Sequence, residues 1–455
     1  MFGHEIEDYK QLREVKKKLD ENLGRKLFFK SLSYCGVKIV PTANLDAVAV
    51  VANNKSAKIH GVAHCKSSWC CPVCTSKQMA KYAGDIAVAI DALKEKDQLA
   101  AMITFTVPHT SDFSCEEVTE ILYNTWKGFT VHGNKIHKSS PNDIFANFAV
   151  AMNHKHRIRV CEYTWGNAGW HPHFHTLFWF PKENFQKILD WEDRLLKRWL
   201  ELCQRYTIRQ LLKRYPETER KTVKAKVTSR VKIMYSKLNE GSSAVFISKD
   251  KQNKVIVQQS SNYICGWGAN RELTANVQYK ASNPNHLTWQ QILDNAIATD
   301  HNEPLPHNFT QQRKSALDVA QVPAEAKQID WWELYFEYAT ATRKYRHARI
   351  NYSVHSGIKQ IIADYKKSNA YKKFSKKNCS EKLQKFGRWR VVCWFRPSLW
   401  YEICSKMLEP EILELAVKGG IDEINRFLKA QGFTESALQN IGGRTEILEE
   451  VLNAA

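Results

Sequence analysis

Residues 169–180 read GWHPHFHTLFWF. Leu177, Phe178 and Trp179 favour an extended backbone, and successive side chains on a strand point to opposite faces. His171, His173 and His175 therefore project from one side. Neutral imidazole is a good ligand for divalent cations. One buried histidine would suggest aromatic packing; three at strict alternation predict a metal site. Upstream, NFAVAMNHKHRIRVCEYTWGNAGWHPHFHTLFWF predicts two strands joined by a Gly-Asn-Ala-Gly turn. That hairpin puts Glu162 on the strand that partners the histidines, within reach of the same ion. A carboxylate added to imidazoles hardens the donor set and admits Mg²⁺ or Mn²⁺ alongside zinc.

Elements on either side fit an α+β protein. SKQMAKYAGDIAVAIDALKEKDQ has helical apolar spacing, and LAAMITFTVPHT is an apolar strand stopped by Pro108. CEEVTEILYNTWKGFT reads as a second helix. Basic helices follow over 183–238, then SAVFISKDKQNKVIVQQ as a further hairpin with a polar turn.

Twelve cysteines in a chain without a visible secretory signal argue for metal binding over disulfides. In HCKSSWCCPVC, Cys71-Pro-Val-Cys74 is a knuckle that aims two thiolates at one tetrahedral ion. Cys65 supplies a third ligand and Cys35 a fourth, with His60, His64 and Cys70 as rivals. The expected ion is structural Zn²⁺. A thioredoxin-type redox motif fits less well, because no βαβ frame surrounds the pair.

The chain carries 67 Lys and Arg against 47 Asp and Glu, a formal charge of +20. Such an excess attracts polyanions, so nucleic acid is the expected partner. Eleven basic residues fall between Arg205 and Lys237 against Glu217 and Glu219 alone. Ten lie between Lys366 and Arg390 against Glu381, interleaved with Tyr371, Phe374, Phe386 and Trp389. Basic side chains with interspersed aromatics suit phosphate neutralisation and base stacking. No apolar run approaches the roughly 20 residues of a bilayer span, so a cytoplasmic protein without membrane contact is expected. At roughly 150 residues per domain, the chain has room for two or three domains. The mildly acidic last fifty residues, with EPEILELAVKGGIDEINRFLKA, read as a small helical unit.

Taken together, CKSSWCCPVC, MITFTVPHT, CEYTWGNAGWHPHFHTLFWF and SNYICGWGANRELT resemble, in order, blocks of the rolling-circle plasmid replication initiators of the HUH endonuclease superfamily. YFEYATATRKYRHARINYSVHSGIKQ resembles a downstream block of their proteobacterial branch. The likeness spans roughly residues 30 to 400 and implies a ferredoxin-like antiparallel sheet as the nuclease core. His173 and His175 match the HUH histidines, preceded by His171, and Tyr263 matches the nucleophile. Trp267 stands where many members have a second tyrosine, which implies a one-tyrosine enzyme. Gly266 stands where the family commonly has Lys, which leaves Arg271 or Lys280 for that phosphate contact.

The implied organisation is a helix and zinc module over 1–98, a nuclease domain over 99–290 with a basic helical insertion, a basic-aromatic DNA-binding region over 291–404, and a helical tail over 405–455. Lys372, Lys373, Arg388 and Arg390 are the candidate DNA contacts of the third segment. The implied activity is nicking of one origin strand, leaving a 5′-phosphotyrosine and a free 3′-hydroxyl. No GxxxxGK[ST] phosphate loop occurs, so host helicase and DNA polymerase are implied partners beside origin DNA. A relaxase or single-tyrosine transposase of the same superfamily is the nearest alternative. A non-catalytic zinc-containing DNA-binding regulator is another, and a hydrolase of small phosphoesters fits the charge least.

Overall fold

Three β-prone segments, Gln98–Thr106, His156–Gly166 and Gly169–Pro181, form the centre of a sheet because their apolar side chains have helices to bury against. The computed structural model describes residues 5–40, 47–67, 69–130, 143–238, 244–257, 286–307, 329–345, 350–352, 357–368, 371, 389–434 and 441–442. Gly169–Pro181 is central and pairs antiparallel with Gln98–Thr106 on one side and His156–Gly166 on the other. Val245–Ile247 extends the sheet beyond Gln98–Thr106, while His286–Thr288 and Ile350–Tyr352 pair with His156–Gly166. The class is α+β with antiparallel sheets, as expected.

The turn between the two long strands contains only Asn167 and Ala168, with Gly166 opposite Gly169. Gly169 has φ +84°, and a Cβ there would lie 3.2 Å from the Ser111 Cα. Glycine satisfies both the left-handed backbone and the close approach.

On one face of the sheet, Phe105, Phe174 and Phe178 pack against rings from the helices Cys115–Thr130, Ile144–Ala151 and Glu192–Lys213. Arg159 is buried in this layer, its guanidinium 4.2 Å from the Phe174 ring centre and 4.8 Å from that of Trp126. Among the described residues no carboxylate pairs with it, so the ring faces supply the opposing charge density. Burial lowers its pKa.

The chain divides into two compact units with bounds other than the four expected segments. One joins Met1–Ala80 to Ser368–Ala455, and the other is Lys81–Lys367. In the first, Arg390–Phe395 pairs antiparallel with Val48–Ala52, which also pairs with Ala57–His60. The segment 405–455 falls within this same unit. Its acidic helix Glu409–Lys418 lies along the N-terminal helix Glu5–Asp20 through Lys10–Glu414 (2.6 Å), Lys16–Glu409 (3.5 Å) and Arg13–Glu411. Lys10–Glu414 and Arg13–Glu411 are partly exposed and contribute about 0–1 kcal/mol each, whereas Lys16–Glu409 is buried and its attraction is set against the cost of desolvating both charges.

Glu337, in the helix Trp331–Arg343, ties two elements to a third. Its Oε1 accepts the backbone N–H of Cys115 (2.8 Å), and its Oε2 accepts the Trp170 Nε1–H (2.9 Å). The first bond satisfies a donor at the start of Cys115–Thr130 that the helix cannot satisfy itself. Glu337→Ala strands both donors and should destabilise this unit by about 2–4 kcal/mol. A lowered midpoint in urea, followed by tryptophan emission, is the expected result.

Candidate metal centres

The register of the central strands builds the first centre. Glu162 lies opposite His173, and Thr104 lies opposite His175 on the other flank. Glu162 Oε2 is 2.9 Å from His173 Nε2 and 2.8 Å from His175 Nε2, and the two nitrogens are 3.1 Å apart. All three residues are buried. The outer nitrogen sets the tautomer of His173, while the Thr104 hydroxyl, which can donate or accept, permits either one at His175. His173 Nδ1–H donates to the His171 carbonyl (3.3 Å), an atom that can only accept, and His175 Nδ1 lies 2.9 Å from Thr104 Oγ1. With the proton on Nδ1, the neutral His173 ring turns an Nε2 lone pair toward the carboxylate, and the Thr104 contact permits the same at His175. Lone pairs so close repel unless a proton or a cation sits among them.

Burial alone would raise the pKa of Glu162. When these imidazoles are protonated, the charge and hydrogen bonds of His173, joined by those of His175, outweigh it and hold the carboxyl well below its ordinary range. A buried carboxylate with two imidazoles could hold a cation, its ligand atoms all lying within 4.8 Å of one another. Thr104 is a contributor that the strand pattern signalled only as a polar residue within MITFT.

His171 lies outside this group of three. Its ring centre is 5.3 Å from that of His173, and its carbonyl, not its imidazole, serves the site by orienting His173. Alternate residues on a strand are roughly 6.6 Å apart along the chain, so three imidazoles fan out and only two converge on Glu162.

The second centre gathers Cys35, Cys65, Cys71 and Cys74. Sγ separations are 3.5 Å for Cys35–Cys71, 3.6 Å for Cys35–Cys74 and 3.5 Å for Cys65–Cys74. Four sulfurs about 2.3 Å from a tetrahedral ion lie about 3.8 Å apart, so the cluster fits such an ion with slight expansion. Backbone N–H groups of Cys65, Ser67 and Cys74 point at the sulfurs of Cys35, Cys65 and Cys71. Hydrogen bonds from Cys65, Cys71 and Cys74 drive the Cys35 thiol well below its ordinary pKa.

The rival ligands stand aside. Cys70 Sγ faces Ser67 Oγ, and neither Cys70 nor His60 belongs to the group whose ligand atoms converge. His64 Nδ1 is 3.9 Å from Cys35 Sγ, while its Nε2 is 3.1 Å from Lys77 Nζ. It is a neighbour of the thiolates, linked to a cation that would offset their charge.

Tyr263, Arg271, Lys280, Lys372, Lys373 and Arg388 lie outside the described residues. Arg390 is exposed at the start of its strand. In the basic segment, the helix Arg220–Leu238 presents Lys221, Lys224, Lys226 and Lys232 to solvent. Lys213, Arg214 and Arg230 pair instead with Glu120, Glu117 and Asp112. Among the described residues, no helix is long and apolar enough to cross a membrane.

No family model matches the chain, and no solved structure matches it. It is 27% identical over 137 residues to a neomycin resistance protein of Streptomyces cyanogenus, covering 26% of this chain and 30% of that protein. The chain thus spans less than a third of that relative's length.

Two outcomes follow from the geometry. Serine at Cys35, Cys65, Cys71 or Cys74 should each abolish one tightly held metal equivalent and lower solubility, whereas Cys70→Ser and His64→Ala should retain it, as counted by elemental analysis of purified protein. Thr104→Val removes the partner of His175 Nδ1 and should weaken Mn²⁺ or Co²⁺ binding about 10–100-fold in calorimetry, with Glu162→Gln weakening it further.

Proposed function

We propose that this chain initiates plasmid rolling-circle replication as a metal-assisted, site-specific DNA nickase and strand transferase. The observation that carries the reading is the convergence of Glu162, His173 and His175 on adjacent antiparallel strands, with the two Nε2 atoms 2.9 and 2.8 Å from one carboxylate oxygen. Its antiparallel setting is compatible with the ferredoxin-like HUH core implied by the motif order. The +20 charge and the exposed lysines of 220–232 suit a DNA backbone. The four-cysteine cluster would hold structural zinc.

A bound Mg²⁺ or Mn²⁺ would polarise the scissile phosphate and orient it for in-line attack. Glu162, His173 and His175 hold that position in a buried setting with second nitrogens already fixed. The Tyr263 hydroxyl gives up its proton and its oxygen bonds to phosphorus. The bond from phosphorus to the 3′ oxygen breaks, and that oxygen takes a proton to become the free 3′-hydroxyl. The 5′-phosphotyrosine preserves the phosphoester, so a later 3′-hydroxyl can displace the tyrosine and rejoin the strand without ATP. Origin DNA, host helicase and host polymerase are the implied partners, and the cytoplasm is the implied compartment.

Incubation with an origin-bearing single strand tests the reading. The native chain should form a covalent adduct that mass spectrometry maps to Tyr263. Tyr263→Phe should lose the adduct with origin affinity nearly unchanged, and His173→Ala or His175→Ala should lose cleavage while duplex binding persists. An adduct surviving in Tyr263→Phe and lost in Tyr279→Phe would transfer the role to Tyr279.

A further inference from the structure

Phe246 lies at the edge of the sheet that carries the Glu162 centre. It is the middle residue of Val245–Ile247, whose two outer side chains are fully buried while its own ring is 50% exposed. Residues directly opposite one another on neighbouring strands project from the same face of a sheet. Phe246 is opposite Thr104, and Thr104 is opposite His175. The ring therefore stands in one lateral row with the Thr104 hydroxyl and the His175 imidazole, on the face that bears Glu162 and His173. Two strand spacings of about 4.8 Å put Phe246 roughly 10 Å from His175.

A single exposed apolar residue is ordinary on a protein surface. Phe246 differs in its setting. Its strand runs on into a hairpin in which Lys249 bridges to Val255, and side chains from the flanking helices hold that hairpin in place. The Lys249 ammonium pairs with Glu192, and the Val255 N–H donates to Gln186 Oε1 (3.2 Å). Asp250 closes the turn by accepting the backbone N–H groups of Gln252 and Lys254. Lys251 and Lys254 are exposed there, as is the apolar Ile256. A fixed aromatic face with cations beside it is the composition of single-strand binding surfaces, where the ring stacks a base and the cations neutralise the backbone.

We propose that Phe246 is the platform on which a base of single-stranded DNA stacks when a phosphate of the same strand lies at Glu162, His173 and His175. The proposal deepens the nicking reading and rests on it for the identity of the strand. Every base has a π face, so the platform adds affinity and holds the strand along the row without reading its sequence. A duplex keeps its bases stacked on one another and gains nothing from the ring, which confines the contribution to single strands.

The test titrates the zinc-loaded full chain into a labelled origin-bearing single strand and into the matching duplex, with affinity read by fluorescence anisotropy. Phe246→Ala should weaken single-strand binding roughly 5- to 150-fold, the range for one stacked base, and leave duplex binding unchanged. Phe246→Trp should retain single-strand binding, and Phe246→Leu, apolar but without a π face, should behave as Phe246→Ala. Circular dichroism checks that each variant is folded. The proposal is overturned if the native chain binds no single strand, if Phe246→Ala binds it as tightly as the native chain, if duplex affinity falls equally, or if Phe246→Leu retains full affinity. Tighter binding of an RNA of the same sequence, with the same dependence on Phe246, would overturn DNA as the occupant. The covalent adduct is a separate readout. Single-strand binding through Phe246 without an adduct sinks the nicking reading and leaves the platform standing, whereas an adduct with binding indifferent to Phe246 does the reverse.

Discussion

Strand register is the constraint on which the rest of this structure depends. Glu162 reaches His173 and His175 only because the hairpin aligns Gly166 with Gly169, and Thr104 reaches His175 only because Gln98–Thr106 pairs in matching phase. A slip of one residue would turn every side chain to the opposite face. Phe174 and Phe178 would then leave the helix-covered layer as the histidines entered it. Burial of those rings therefore locks the ligand geometry, and the two-residue turn with Gly169 in the left-handed region sets the phase at its start.

The two centres illustrate different uses of burial. Around Glu162, burial opposes the charge of the carboxylate, and the neighbouring imidazoles, when protonated, more than offset it. Among the cysteines, backbone N–H groups point at three sulfurs, and His64 connects the cluster to Lys77. Mixed oxygen and nitrogen donors suit a hard or borderline divalent ion. Four thiolates close a tetrahedron and leave no position for substrate, as a structural ion requires.

Charge is likewise divided by the fold. The net charge of +20 suggests a uniformly basic surface, yet acidic residues of Glu409–Lys418 pair with the N-terminal helix, and Glu117, Glu120 and Asp112 pair with Arg214, Lys213 and Arg230. The exposed lysines at 221, 224, 226 and 232 are what the second basic helix presents outward. A phosphate backbone responds to this local distribution more than to the sum.

The sequence by itself determined the local elements and the ligand types. Alternation of histidines named the strand and its face, GNAG named the turn, and Cys-Pro-Val-Cys with Cys65 and Cys35 named the thiolate cluster. These signals are legible because period-two alternation and short turns are properties of neighbouring residues. Only the tertiary structure decided which imidazoles meet. It set His171 apart from the Glu162 group and brought Thr104 onto His175. It gave Glu337 its bonds to Cys115 and Trp170, and placed Arg390–Phe395 beside Val48–Ala52. Each of these joins residues far apart in the chain, and their pairing follows from burying apolar faces together, for which no local pattern of residues exists.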